Sequence, residues 1–163
     1  ATDDFCMAEV KPSFCHLIWI LRREFRFDPD MSASQLLSRG LDSLVQYGAL
    51  TRAEENWSVA DTSLMGEIYG LFRNFLESYL LVLRGVEHLP ASPREYVKHL
   101  QFEGESLLLN GGITRPEALS LITLKNAVDT YQEEKVLKVT DGVLLDNLPR
   151  RTANIDALTP MVD

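Results

Sequence analysis

The sequence predicts a mainly α-helical protein with two small β-hairpins, built as two helix–helix–hairpin units joined by one long helix. Three observations carry this prediction. An apolar stripe runs from Met65 to Val86 at helical spacing. Three boxes of the Ser/Thr-x-x-Glu/Gln type mark helix starts, at Ser32–Gln35, Ser92–Glu95 and Thr114–Glu117. The chain also echoes itself: Leu41-Asp42-Ser43 before Ala49-Leu50 is answered by Val128-Asp129-Thr130 before Val136-Leu137, at a constant offset of 87. Each copy has the order helix, helix, two-stranded hairpin, which is the winged-helix plan.

In chain order, the first helix is expected from about Lys11–Pro12 to Phe27. Pro12 suits a first helical turn, and Phe14, Leu17, Ile18, Leu21 and Phe25 form the inward stripe. Asp28-Pro29 ends it, because the residue before proline avoids helical dihedrals. The second helix spans Ser32 to Gly48, capped at Ser32, with Gly48 suited to a left-handed C-terminal cap. Ala49–Thr51 and Trp57–Val59 read as two short strands joined by the polar loop RAEEN.

The long helix covers Leu64 to Arg84, capped by Asp61, Thr62 or Ser63. Met65, Ile68, Phe72, Phe75, Tyr79, Val82 and Val86 share one face; Glu67, Arg73, Asn74, Glu77 and Ser78 fall on the other. The stretch is long enough to span a membrane. Glu67, Arg73 and Glu77 argue against it, since each charge costs about 2.5–3.5 kcal/mol at a bilayer centre.

Ser92-Pro93-Arg94-Glu95 opens a helix with Tyr96, Val97, Leu100, Leu107 and Leu108 inward, ending at Asn110-Gly111-Gly112. Thr114–Glu117 opens a short turn, and Ser120 restarts a helix over Leu121–Glu134. Val136–Val139 and Val143–Leu145 flank Thr140-Asp141-Gly142, a strong hairpin signal. The expected organisation is thus a first unit at 1–60, a connecting helix at 61–91, a second unit at 92–147 and a loose tail at 148–163.

Length, 163 residues, fits one domain or two small units, and 45% apolar content is ordinary for a folded chain. The net charge of −8 argues against a nucleic-acid or anionic-membrane surface. Cys6 and Cys15 would lie roughly 13 Å apart on one helix, too far for a disulfide, and are read as reduced. The opening residues lack a signal peptide, and a start at Ala1 is what a fragment or excised domain would show.

The residues offer little chemistry. His16 sits in an apolar run, His88 in a connection, and His99 on a helix four residues before Glu103. A single His–Glu pair needs further ligands to hold a metal. Glu54-Glu55 and Glu133-Glu134 fall at a loop and a helix end, where solvated surface is the ordinary state. No nucleophile motif or phosphate-binding glycine loop is present. The candidate recognition helix, Leu121–Glu134, carries Lys125 against Asp129, Glu133 and Glu134, so it is not expected to read DNA. No catalytic, cofactor-binding or metal-ligating residue is assigned.

The order REFRFDP (23–29), QYGALT (46–51), LFRNFLESYLLV (71–82), PREYVKHL, ITRPEALS and LKNAVDTYQEEKVL resembles the C-terminal region of the glycerol-3-phosphate and dihydroxyacetone-phosphate acyltransferases. The resemblance covers roughly Glu24 to Val139. It implies a parent enzyme that transfers an acyl group from acyl-CoA or acyl carrier protein to a glycerophosphate hydroxyl. In that family a His followed by an Asp with four residues between them acts as the dyad, its His a general base. Here the residues five beyond His16, His88 and His99 are Leu21, Pro93 and Gly104. The resemblance therefore implies a non-catalytic domain, with no cofactor of its own and the acyl donor bound elsewhere. Its expected partner is the catalytic domain of the same polypeptide or a second subunit, in an intracellular, membrane-associated enzyme. The alternative reading is a stand-alone acidic winged-helix interaction or regulatory module.

Overall fold

A computed structural model describes residues 4–162, and within them lie six α-helices and two antiparallel sheets, of three and two strands. No helix of the described residues is long and apolar enough to cross a membrane. The chain divides into two compact units, residues 1–71 and 72–163.

The first unit opens with a strand the sequence reading missed. β1 (Phe5–Cys6) pairs with β3 (Asn56–Val59), and β3 pairs with β2 (Leu50–Ala53), giving the order β1-β3-β2. A two-residue strand is too short to show an alternation. Helix α1 (Met7–Ile20) starts four residues before the expected point, because the Cys6 backbone N–H donates to Glu9 Oε2 at 2.6 Å and closes its first turn. Pro12 therefore lies inside the helix, where its ring removes one backbone donor. The helix also ends early. A 3-10 turn follows at Leu21–Arg23, and Arg22 donates to the Trp19 carbonyl while its guanidinium lies 4.8 Å from the Trp19 ring centre. Phe25 and Phe27 fall beyond the helix.

α2 (Ala33–Gln46) is capped as expected: Ser32 Oγ accepts from the Gln35 N–H, and Gln35 Oε1 accepts from the Ser32 N–H at 2.8 Å. Leu37, Leu41, Leu50 and Trp57 form the core of this unit, with Phe5, Phe14, Leu44, Val45 and Met65 packed on it.

α3 (Thr62–Arg84) begins at Asp61, whose Oδ1 accepts the Leu64 N–H at 2.9 Å. Its far half corrects the two-faced expectation. Eight consecutive residues, Leu76 to Leu83, are buried, including Glu77 and Ser78 from the supposed polar face. The reason is local to the second unit: chain covers that side too. Ser78 Oγ donates to the Ala118 carbonyl, and a Cβ on Gly104 of α4 (Pro93–Leu109) would collide with Leu119 and Leu81. A helix wrapped on every side must bury whatever its period places outward, so the polar residues there need partners.

α4 has the expected capping box, with Ser92 Oγ and Glu95 exchanging hydrogen bonds. The Thr114 box does not form. The Thr114 hydroxyl and N–H both turn to Glu77, and the 3-10 turn Pro116–Leu119 has no side-chain cap. α5 (Leu121–Glu133) buries Leu124, Ala127, Val128 and Tyr131 as expected. It leads into the hairpin of β4 (Leu137–Thr140) and β5 (Val143–Asp146), whose Asp141 and Gly142 both have positive φ, as a type I′ turn requires.

The tail is not loose. Leu148–Leu158 forms helix α6, with Leu158 and Val162 buried. Arg150 and Arg151 within it are engaged by the rest of the unit. Arg150 donates to the Glu134 carbonyl at 2.8 Å and Asn147 Nδ2 to the Lys135 carbonyl at 2.6 Å, filling acceptors that α5 leaves at its C-terminus; Arg151 pairs with Asp146 at 3.1 Å. Those partners are unreadable from the tail's own periodicity.

The internal echo extends to the backbone. After α2, Gly48 adopts φ +78°, its N–H donates to the Val45 carbonyl, and the Ala49 N–H donates to the Leu44 carbonyl. Eighty-seven residues on, Lys135 adopts φ +57°, its N–H donates to the Gln132 carbonyl, and the Val136 N–H donates to the Tyr131 carbonyl. β4 and β5 fall at the same offset from β2 and β3, and the turns begin at Glu54 (φ +55°) and Asp141 (φ +52°). Ala91 bridges Leu144 much as Phe5 pairs with Trp57.

Two buried tyrosines give a direct test of the second core. Tyr96 OH donates to the Val82 carbonyl at 2.6 Å, whereas Tyr131 OH, packed edge-on against Tyr79, has no partner among the described residues. Burial raises the pKa of both phenols. Tyr96→Phe is expected to cost about 1–2 kcal/mol, because it removes a buried hydrogen bond, while Tyr131→Phe should be within about 0.5 kcal/mol of neutral or stabilising. Urea unfolding of the two variants checks the contrast.

Candidate functional site

Among the described residues, three features of the second unit and one histidine of the first bear on chemistry, and Cys6 and Cys15 are free thiols. His16 is half-buried on α1, with Nε2 sealed from solvent and unpartnered; burial lowers its pKa, so it is held neutral. Its ring lies against Trp19, and this is the surrounding of a packing residue.

The structure brings His88 and His99 together, which their separation in sequence did not show. His88 closes the 3-10 turn Gly85–His88, and His99 lies on α4; their rings are near parallel with centres 5.2 Å apart. Glu103, one turn beyond His99, reaches His88 Nε2 at 2.9 Å, and Glu87 Oε1 stands 4.0 Å from the same nitrogen. Glu54-Glu55 form the tip of the first hairpin and Glu133 and Glu134 the end of α5, so neither pair converges on a site.

The second cluster centres on Glu77, only 3% exposed. Its Oε1 accepts from the Thr114 hydroxyl at 2.6 Å, the Thr114 N–H at 3.1 Å and Arg73 Nε at 3.0 Å, and its Oε2 accepts from the Arg115 N–H at 3.0 Å. Burial raises its pKa, and these four bonds outweigh that and hold the carboxyl below its ordinary value of 4.5. Every donor is supplied by the protein, so the group fastens the 113–119 segment to α3 rather than facing a substrate. Sequence reasoning missed it because two donors are backbone groups in a loop.

The third feature is a groove of about 510 Å³ between α4 and α5. Pro93, Val97, Leu121 and Val128 give it an apolar floor; Arg94, Lys98 and Lys125 edge it, against the single acid Asp129. The two helices present these residues because Arg94 and Lys98, and likewise Leu121 and Lys125, are one turn apart. Leu121 and the adjacent Ile122 are 55% and 73% exposed. None of the three cations has an ion-pair partner among the described residues.

Comparison with known families decides the context of these features. The family described as the glycerol-3-phosphate acyltransferase C-terminal region matches residues 2–140. The chain belongs to that family. No curated protein matches it. The match covers the first helix–helix–hairpin copy and the second as far as the end of β4, so β5 and α6 lie outside the matched residues. For a glycerol-3-phosphate acyltransferase C-terminal region, the informative surface is the one left open: a floored, basic groove in a chain of net charge −8.

Proposed function

We propose that the chain is the non-catalytic C-terminal domain of a 1-O-acyltransferase acting on glycerol 3-phosphate or dihydroxyacetone phosphate. In this reading it supports the catalytic domain of the same polypeptide in the first acylation of glycerophospholipid synthesis. The acyl-CoA or acyl carrier protein donor is bound elsewhere in the enzyme, which meets the membrane through its other parts. The two helix–helix–hairpin copies act as winged-helix-like modules used for packing against protein rather than DNA.

The observation that carries the supporting role is the α4–α5 groove. Its apolar floor, with exposed Leu121 and Ile122, suits burial against another protein surface, and its three unpaired cations suit an acidic rim. The occupant is the catalytic domain, presenting an apolar element edged by Asp or Glu. In the full-length enzyme, the double variant Leu121→Ser, Lys125→Glu should leave this domain folded, because both side chains are exposed. It should lower the thermal stability and acyltransferase activity of the whole. Unchanged activity, membrane association and melting temperature would refute the supporting role. Acylation of glycerol 3-phosphate by these 163 residues alone would refute the non-catalytic one.

A further inference from the structure

We propose that Glu87, His88 and Glu103 form a binding site for a single divalent transition-metal ion, of which zinc is the best match. This inference is independent of the docking groove and of the enzyme's reaction.

The geometry points to it in three ways. First, one ligand atom from each residue can be chosen so that all lie within 4.8 Å of one another. In a four-coordinate zinc site with bonds of about 2.0–2.1 Å, neighbouring ligand atoms stand roughly 3.3 Å apart. The separations from His88 Nε2, 2.9 Å to Glu103 and 4.0 Å to Glu87, bracket that value.

Second, the backbone is arranged to let the groups meet. Gly85 opens the 3-10 turn, and a Cβ there would collide with Leu100 and lie 3.2 Å from Glu103 Oε2. Glycine thus lets α4 approach the turn closely enough for the Glu103 carboxylate to reach His88. Third, the charges do not balance. Neither Glu87 nor Glu103 has a Lys or Arg partner among the described residues, and two carboxylates converging on one imidazole gather negative charge that a divalent cation would cancel.

The donor set is one nitrogen and two oxygens. It favours zinc over magnesium or calcium, which prefer oxygen donors only, and leaves a fourth position for water. The His99 ring is stacked on that of His88, with centres 5.2 Å apart. An ion here would tie the turn after α3 to the middle of α4.

The test uses the whole chain under reducing conditions, with Cys6 and Cys15 replaced by serine so that thiolates cannot compete. Zn²⁺ alone is titrated against a chromogenic chelator. One equivalent should bind in the micromolar range, raise the melting temperature, and show a nitrogen/oxygen shell without sulfur by X-ray absorption. Glu103→Gln keeps the shape of the side chain and should weaken binding about tenfold or more, as should His88→Ala, while His16→Ala should not change it. Binding weaker than about 1 mM, or equal affinity in Glu103→Gln and the parent, would overturn the proposal. Far-UV circular dichroism of each variant separates lost ligation from lost fold.

Discussion

Replacing Glu77 by alanine should destabilise the second unit by about 3–5 kcal/mol. The carboxylate is buried and meets four donors: the Thr114 hydroxyl and N–H, the Arg115 N–H and Arg73. Removing it leaves the Thr114 and Arg115 backbone N–H groups without that acceptor, and each unsatisfied group costs about 1–3 kcal/mol. Glu77→Gln is the sharper variant. It preserves volume, yet at least one of its atoms becomes a donor among donors, so much of the loss should persist. Urea unfolding followed by circular dichroism measures both.

The same residue fixes a pH dependence. Glu77 has a folded-state pKa below the ordinary 4.5, so the unfolded chain binds its proton first as acid is added. Its contribution is therefore complete above pH 4.5 and declines as the pH falls from there through the folded value. Glu77→Gln should flatten the acid side of the stability curve in that window. A variant curve parallel to that of the parent would show that the hydrogen bonds do not favour the ionised form.

In the first unit, Trp57→Ala is expected to cost about 3–5 kcal/mol. The indole is 3% exposed and belongs to the cluster with Leu37, Leu41 and Leu50. Phe5 lies against it with ring centres 6.4 Å apart, and the Arg52 guanidinium stands 5.1 Å from its ring centre. Its Nε1 is buried without a partner, so Trp57→Phe should be much milder than the alanine change, the ring volume mattering more than the lost N–H. Unfolding monitored by far-UV circular dichroism avoids the signal of Trp19, the other tryptophan.

What was legible in the sequence followed short-range physics. Ser32–Gln35 and Ser92–Glu95 announced caps because the partners are three residues apart, and Asp141-Gly142 announced a turn because few residue pairs accept its dihedrals. What stayed hidden depended on distant chain. Glu77 and Ser78 fall on the polar side by helical period, and only the 113–119 segment converts that side into interior. Thr114 had the spacing of a cap and was drawn instead to a carboxylate 37 residues away. α6 has a thin stripe of its own and is fastened through Asn147 and Arg150 to carbonyls at the end of α5. The candidate sites divide in the same way. Sequence spacing gave His99 with Glu103, but Glu87 and His88 come to them through tertiary approach, across Gly85.

The echo between Gly48 and Lys135 has a consequence for how this fold tolerates change. At two equivalent left-handed corners the chain keeps the same dihedral and the same pair of carbonyl acceptors while the residue differs by an entire lysine side chain. A non-glycine residue in that conformation carries a strain of roughly 1–2 kcal/mol, which the second copy sustains and the first does not. The corner therefore depends on the direction of the backbone and its two carbonyl acceptors rather than on one amino acid, and the two halves of the molecule meet that demand with different residues.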